Sequence, residues 1–218
     1  MKSTLKKHRI VLVFTAFLTL LTTAKVFALN GYNTITVDSY SDSSAFMVNG
    51  SYTSIALNSS GNPVISYSDA DNGDLKVAFC NDTNCTSPTI ANIDSTGYVG
   101  LFASLILNDD DYPIISYHDS SNGALKVAIC NDATCTLPTL TTIDNSVQWA
   151  GYYTSIALSN SGNAVISYFN GNVGDLKLAV CNDATCTSPT ITTIDSIGWV
   201  GWDTSIALNI NGNPVISY

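Results

Sequence analysis

Thr53-Ser54-Ile55-Ala56-Leu57-Asn58-Ser59-Ser60-Gly61-Asn62-Pro63-Val64-Ile65-Ser66-Tyr67 reads as two short strands joined by a turn. Ile, Val, Thr and Tyr suit a pleated, half-buried backbone, and the Asn, Gly and Pro between them break it. The opening motif returns as Ala103-Ser104-Leu105-Ile106-Leu107, Thr154-Ser155-Ile156-Ala157-Leu158 and Thr204-Ser205-Ile206-Ala207-Leu208, at a spacing of 50 or 51 residues. Ile65-Ser66-Tyr67 returns in segments ending at Tyr117, Tyr168 and Tyr218, and Leu75-Lys76 returns at Leu125-Lys126 and Leu176-Lys177. A fixed period of this length marks a solenoid, a propeller or an array, in which each repeat is one supersecondary unit.

Outward from this pair, a polar loop with Gly73 leads to a third strand near 75–79, and a cysteine-bearing loop leads to a fourth near 89–93. No repeat carries a sustained 3.6-residue helical pattern. Four short strands in about 50 residues match a propeller blade, whereas β-solenoid coils are shorter, about 20 to 30 residues. The expected fold is all-β, a β-propeller of four-stranded blades. Its repeats run over about 52–101, 102–152 and 153–202, with a partial repeat at 203–218. Residues 34–39 read as the fourth strand of a preceding blade. That tally is one third strand short of a four-bladed ring, so a fragment of a larger propeller is expected, with edges open to association.

Residues 1–28 read as an export signal. Lys2, Lys6, Lys7 and Arg9 precede an apolar run from Ile10 to Leu21, and Val26-Phe27-Ala28 offers small residues for cleavage. The run is shorter than the roughly 20 apolar residues a bilayer span needs. A secreted or periplasmic domain over 29–218 is expected. It keeps three lysines against seventeen aspartates, a net charge of −14, with no Glu, no Arg and one histidine, His118. Nucleic acid and anionic membrane both need basic residues, so neither is an expected partner. A catalytic triad would depend on His118, a multi-histidine zinc site is excluded, and no phosphate loop is present. Aspartate chemistry remains: paired carboxylates for glycoside hydrolysis, or a hard cation.

Three Cys-Asn-Asp-x-x-Cys pairs, Cys80/Cys85, Cys130/Cys135 and Cys181/Cys186, fall between the third and fourth strands of each repeat. An even count at identical spacing in an exported chain predicts one local disulfide per blade. Asp69-Ala70-Asp71-Asn72-Gly73-Asp74 has the alternating oxygens of a Ca²⁺ loop, but its counterpart at 119–124 loses most carboxylates. A solvated turn is the favoured reading, and no cofactor is expected. Lys76, Lys126 and Lys177 recur at one strand position and read as a surface stripe, with a charged ring in the channel as the alternative.

The pattern Ser-Ile-Ala-Leu-Asn-x-x-Gly-Asn-Pro-Val-Ile-Ser-Tyr, followed by Gly-Asp-Leu-Lys-Val-Ala, resembles the blade repeats of secreted bacterial β-propellers, related to sialidase-type and TolB-type blades. The resemblance implies the blade; propellers host binding modules and enzymes alike. Sialidase activity is not implied, because the arginine cluster of that family has no counterpart after residue 28.

Aromatic residues gather in the connections between blades: Tyr98 and Phe102, then Trp149, Tyr152 and Tyr153, then Trp199 and Trp202. In a propeller these connections share a face with the loops that follow the second strands, which carry Asp69, Asp71 and Asp119. Rings that stack on sugars beside carboxylates that bond hydroxyls suit a glycan. Simple packing between blades is the more ordinary reading, and both stay open. The candidate ligand-binding residues are Trp149, Tyr152, Tyr153, Trp199, Trp202, Tyr98, Asp69, Asp71 and Asp119. The expected role is non-catalytic recognition of a glycan or another extracellular surface. An Asp-dependent glycan hydrolase or lyase, or a purely structural repeat, is the alternative.

Overall fold

A computed structural model describes residues 23–28, 33–39, 51–146 and 148–218. Residues 1–22 of the expected signal lie outside the described residues. Strands β1 (Thr23–Ala28) and β2 (Asn33–Ser39) pair as a two-stranded sheet. The first complete blade is β3 (Ser51–Leu57), β4 (Pro63–Asp69), β5 (Asp74–Phe79) and β6 (Thr89–Asp94), an antiparallel meander in chain order. The second blade is β7 (Leu101–Leu107), β8 (Pro113–Asp119), β9 (Ala124–Ile129) and β10 (Thr139–Asp144). The third is β11 (Ala150–Leu158), β12 (Ala164–Asn170), β13 (Asp175–Val180) and β14 (Thr190–Asp195). A last pair, β15 (Ser205–Leu208) and β16 (Pro214–Ser217), stands as a separate two-stranded sheet. The fold is all-β, a partial β-propeller, with no helix among the described residues.

The repeated motif follows from how the blades meet. Each first strand lies beside the first strand of the next blade. The Ser54, Ser104 and Ser155 hydroxyls accept the N–H groups of Leu105, Ile156 and Ile206 one blade on. Thr154 and Thr204 donate back to the carbonyls of Phe102 and Tyr153, at 2.8 and 3.0 Å. Second strands are covered on both faces, so every residue of β4, β8 and β12 is buried. Their polar members must therefore find partners.

Tyr67, Tyr117 and Tyr168 are fully buried and donate to Asp38, Asp94 and Asp144, each on the fourth strand of the preceding blade. The lysines complete these groups. Lys76 bridges Asp69 (2.5 Å) and Asp38 (3.7 Å), Lys126 bridges Asp94 (2.5 Å) and Asp119 (3.6 Å), and Lys177 reaches Asp144 at 3.4 Å. Their side chains are only 11–16% exposed, which corrects the expected surface stripe: the lysines are ion-paired between blades. Burial opposes ionisation of Asp94, but hydrogen bonds from Lys126, Tyr117 and the Thr96 N–H outweigh it and hold the carboxyl below its usual range.

The three cysteine pairs are bonded as expected, Cys80 to Cys85, Cys130 to Cys135 and Cys181 to Cys186, with Cα atoms 4.6–4.8 Å apart. Their setting differs from a plain surface loop. Cys85, Cys135 and Cys186 are buried, and each pair packs into an apolar cluster of the blades. The same three cysteines are left-handed, with φ of 53–55°. The disulfides are therefore core elements that hold a tight turn, and they lie at the ends of the third strands, away from the connections that carry the aromatic residues. In each loop an aspartate organises the turn. Asp82, Asp132 and Asp183 accept N–H groups two and four residues on, which explains the recurring Asn-Asp within the motif. β2 is the expected fourth strand. β1 was not expected as a strand, because its residues fall inside the segment read as a signal.

Candidate functional site

The connections between blades and the loops after the second strands do share a face. Backbone bonds run from Val99 N–H to Gly73 carbonyl, Ala150 to Gly123 and Val200 to Gly174, at 2.8–3.0 Å. Gly73 admits Tyr98 and Gly174 admits Trp199 because neither carries a Cβ; one added there would lie 2.8 Å and 3.2 Å from those rings.

The centre of this face is built by a recurring irregularity. The register between first and second strands slips between Ser51 and Ser54, Leu101 and Ser104, and Tyr152 and Ser155. Within each slip one non-glycine residue is left-handed: Tyr52 (φ 55°), Phe102 (φ 53°) and Tyr153 (φ 51°). Asp203 (φ 51°) matches them in the last repeat. Such a backbone costs on the order of 1–3 kcal/mol per residue, and bulges of this kind re-aim a side chain. The four residues, with Thr53, Ala103, Thr154 and Thr204, line a cavity of about 260 Å³ at the mouth of the axis.

Aromatic rings extend from this mouth as a band. Tyr52 lies 4.4 Å from Phe102, which lies 4.7 Å from both Tyr152 and Tyr153. Tyr153 continues to Trp202 at 5.4 Å, Trp202 to Phe169 at 5.1 Å, and Phe169 to Trp199 at 6.0 Å. All are tilted contacts, and Phe169 is buried beneath the exposed Trp199 and Trp202. Burial, then the charge of Asp203, pushes the Tyr153 phenol above its ordinary range, so it stays neutral and can both donate and accept.

His118 supports the band from below. It is fully buried, its Nδ1–H donates to the Ala150 carbonyl at 2.7 Å, and its ring lies 4.5 Å from Tyr152. Burial holds its pKa below the usual value, so it is neutral at pH 7.

Of the residues singled out in the sequence, Tyr152, Tyr153, Trp199 and Trp202 join the band. Trp149 is exposed on the same face, with its carbonyl accepting from Gly171 N–H. Tyr98 covers Gly73 to one side. Asp69 and Asp119 are buried and turned inward: each accepts from the side chain of an asparagine three residues on and lies near a blade lysine. Asp71 is exposed on the turn and donates its N–H to Asp69. The sequence reading missed Tyr52 and Asp203 as site members and did not separate Phe102 from its neighbours. The signal was present, since all three occupy the position two residues before the repeated serine. Among the described residues, no three His, Cys, Asp or Glu side chains converge as a metal site.

No protein-family model matches the chain, and no curated sequence is similar to it. The fold is similar to that of solved structures of the exo-β-1,3-galactanase of Phanerochaete chrysosporium. The galactose complex has a TM-score of 0.51 at 14% identity, over 85% of this chain and 45% of that one. A point variant of the same enzyme with β-1,3-galactotriose has a TM-score of 0.50 at 15% identity, over 80% of this chain and 44% of that one. The chain thus spans less than half the length of these neighbours. The likeness shows the propeller, without extending to a sialidase-type or TolB-type blade.

Proposed function

We propose that the protein is a non-catalytic module that recognises glycans outside the cell through the aromatic mouth of the propeller. The observation that carries this reading is the cavity of about 260 Å³ lined by Tyr52, Phe102 and Tyr153, held in left-handed backbone within the bulges, and by Asp203, left-handed just before β15. Tilted ring faces offer stacking surface to the C–H faces of a sugar, while Asp203, the tyrosine hydroxyls and the threonines offer bonds to its hydroxyls. Hydrolysis needs two carboxyl groups about 5–9.5 Å apart, and among the described residues Asp203 is the one acid in the lining. The galactan-active structural neighbours favour a glycan ligand, and the disulfides and signal-like N-terminus favour export. A glycan array that includes β-1,3-galactotriose tests the reading: hits without release of product support it, turnover favours a hydrolase, and a blank array favours a structural role.

A further inference from the structure

We infer that the glycan taken at the mouth is an amino sugar, its protonated amine held between the aromatic rim and Asp203. The inference rests on the glycan reading above and adds the charge of the ligand. Three rings, Tyr52, Phe102 and Tyr153, and one carboxylate, Asp203, line the cavity; the other lining residues are threonines and an alanine. Among the described residues no lysine, arginine or histidine lines it.

Rings and carboxylate favour the same sign of charge. The face of an aromatic ring is the negative end of its quadrupole and attracts an ammonium within about 6 Å of the ring centre. Tyr52, Phe102 and Tyr153 follow one another at centroid spacings of 4.4 and 4.7 Å, so they form one continuous wall. Asp203 adjoins the end of that wall, where burial and then its charge raise the Tyr153 phenol. An ammonium placed there meets ring and carboxylate together, whereas a uronic or sialic acid meets a carboxylate and no cation to offset it.

The rest of the domain supplies no positive charge to the mouth. Residues 29–218 hold three lysines against seventeen aspartates. Lys76, Lys126 and Lys177 are ion-paired between blades, and the His118 ring is buried. A cleft in a field of one sign concentrates counter-ions. The amine is a primary one, because its N–H groups can donate to Asp203 and to the Tyr52 and Tyr153 hydroxyls, which a fully methylated ammonium cannot do.

Calorimetry on the full chain at about pH 6, below the range near 7.7 in which an α-amino group titrates, compares a β-1,4-linked glucosamine trimer with its N-acetylated form, which keeps the sugar and loses the charge. The amine trimer should bind the parent at least about fivefold more tightly. Asp203→Asn, which the left-handed backbone tolerates, should remove that advantage and leave the N-acetylated form bound as before. Asp110→Asn, on the exposed turn between β7 and β8 at the other end of the strands, should keep it. Equal affinity of the parent for the two forms overturns the amino sugar and leaves glycan recognition standing, whereas no binding of any glycan overturns both. Equal loss in Asp203→Asn and Asp110→Asn makes the preference one of net charge alone, and displacement of the trimer by an equal concentration of tetramethylammonium places the affinity in a bare cation; either result overturns the site.

Discussion

Ser66 is matched with Ala103, by repeat position, at a blade interface where the next two interfaces hold a hydroxyl pair. Ser116 meets Thr154 and Ser167 meets Thr204 at 2.8 Å, whereas Ser66 Oγ is buried with no partner. An unsatisfied buried hydroxyl costs about 1–3 kcal/mol. Ala103→Thr should therefore stabilise the protein by about 1 kcal/mol, since the new hydroxyl can meet Ser66 and the Tyr52 carbonyl. Urea unfolding measures it, and a lower midpoint would show that the interface has no room.

The inter-blade carboxylates set the pH response. The Asp94 and Asp144 carboxyls are held below their usual range in the folded state, against burial, by hydrogen bonds. A depressed folded value stabilises above the unfolded value, about 3.9, and that contribution is lost as the pH falls through the folded value. Lys76 is raised, against burial, by Asp69, so its contribution is present below about 10.4 and is lost as the pH rises through the folded value. Stability should be flat between about pH 7 and 9 and fall at both ends, the acid limb starting below about 6.5, where the unfolded chain protonates His118 and the folded chain, which buries it neutral, does not. Asp94→Asn should shallow the acid limb and lower the plateau, as read from melting temperatures across pH.

Asn170 stands where Asp69 and Asp119 pair with their lysines, and its buried amide Nδ2 has no partner. Asn170→Asp would give Lys177 a second carboxylate. The melting temperature should rise by several degrees, about what 1 kcal/mol gives a domain of this size. No change would mean that Lys177 is satisfied by solvent.

Each disulfide closes a loop with a sequence separation of 5. A loop that short removes less unfolded-chain entropy than the roughly 3 kcal/mol expected for about 15 residues. Replacing Cys130 and Cys135 together by Ala should lose less than that from the cross-link itself and leave the circular dichroism spectrum strand-dominated.

The period, the strands, the disulfides and the aromatic connections were legible because each is local: turn residues, alternating apolar residues and fixed spacing repeat within one blade. The lysines and the turn aspartates were not. Whether Lys126 faces water or Asp94 depends on a strand 32 residues away in another blade. Asp69 looks like a solvated turn residue until Lys76 is seen beside it. Burial of Cys85 and Cys186 was hidden in the same way, since it is the packing of blades, not the spacing of the pair, that covers them. Tyr52 reads as an ordinary alternating strand residue, and only the bulge, a property of pairing with β4, turns it to the axis. β1 was obscured because Val26-Phe27-Ala28 fits a cleavage site as well as a strand.

Glycan recognition by the rim rings is tested by the affinity of one array-identified glycan for the parent and for Tyr153→Ala and Phe102→Ala, by calorimetry, with melting temperatures showing that each variant is folded. Loss of a stacking ring removes on the order of 1 kcal/mol, so each variant should bind about fivefold more weakly, while Leu140→Ala, exposed on β10, binds like the parent. Equal affinity of the folded rim variants and the parent, or no glycan bound by the parent, would overturn recognition at the mouth.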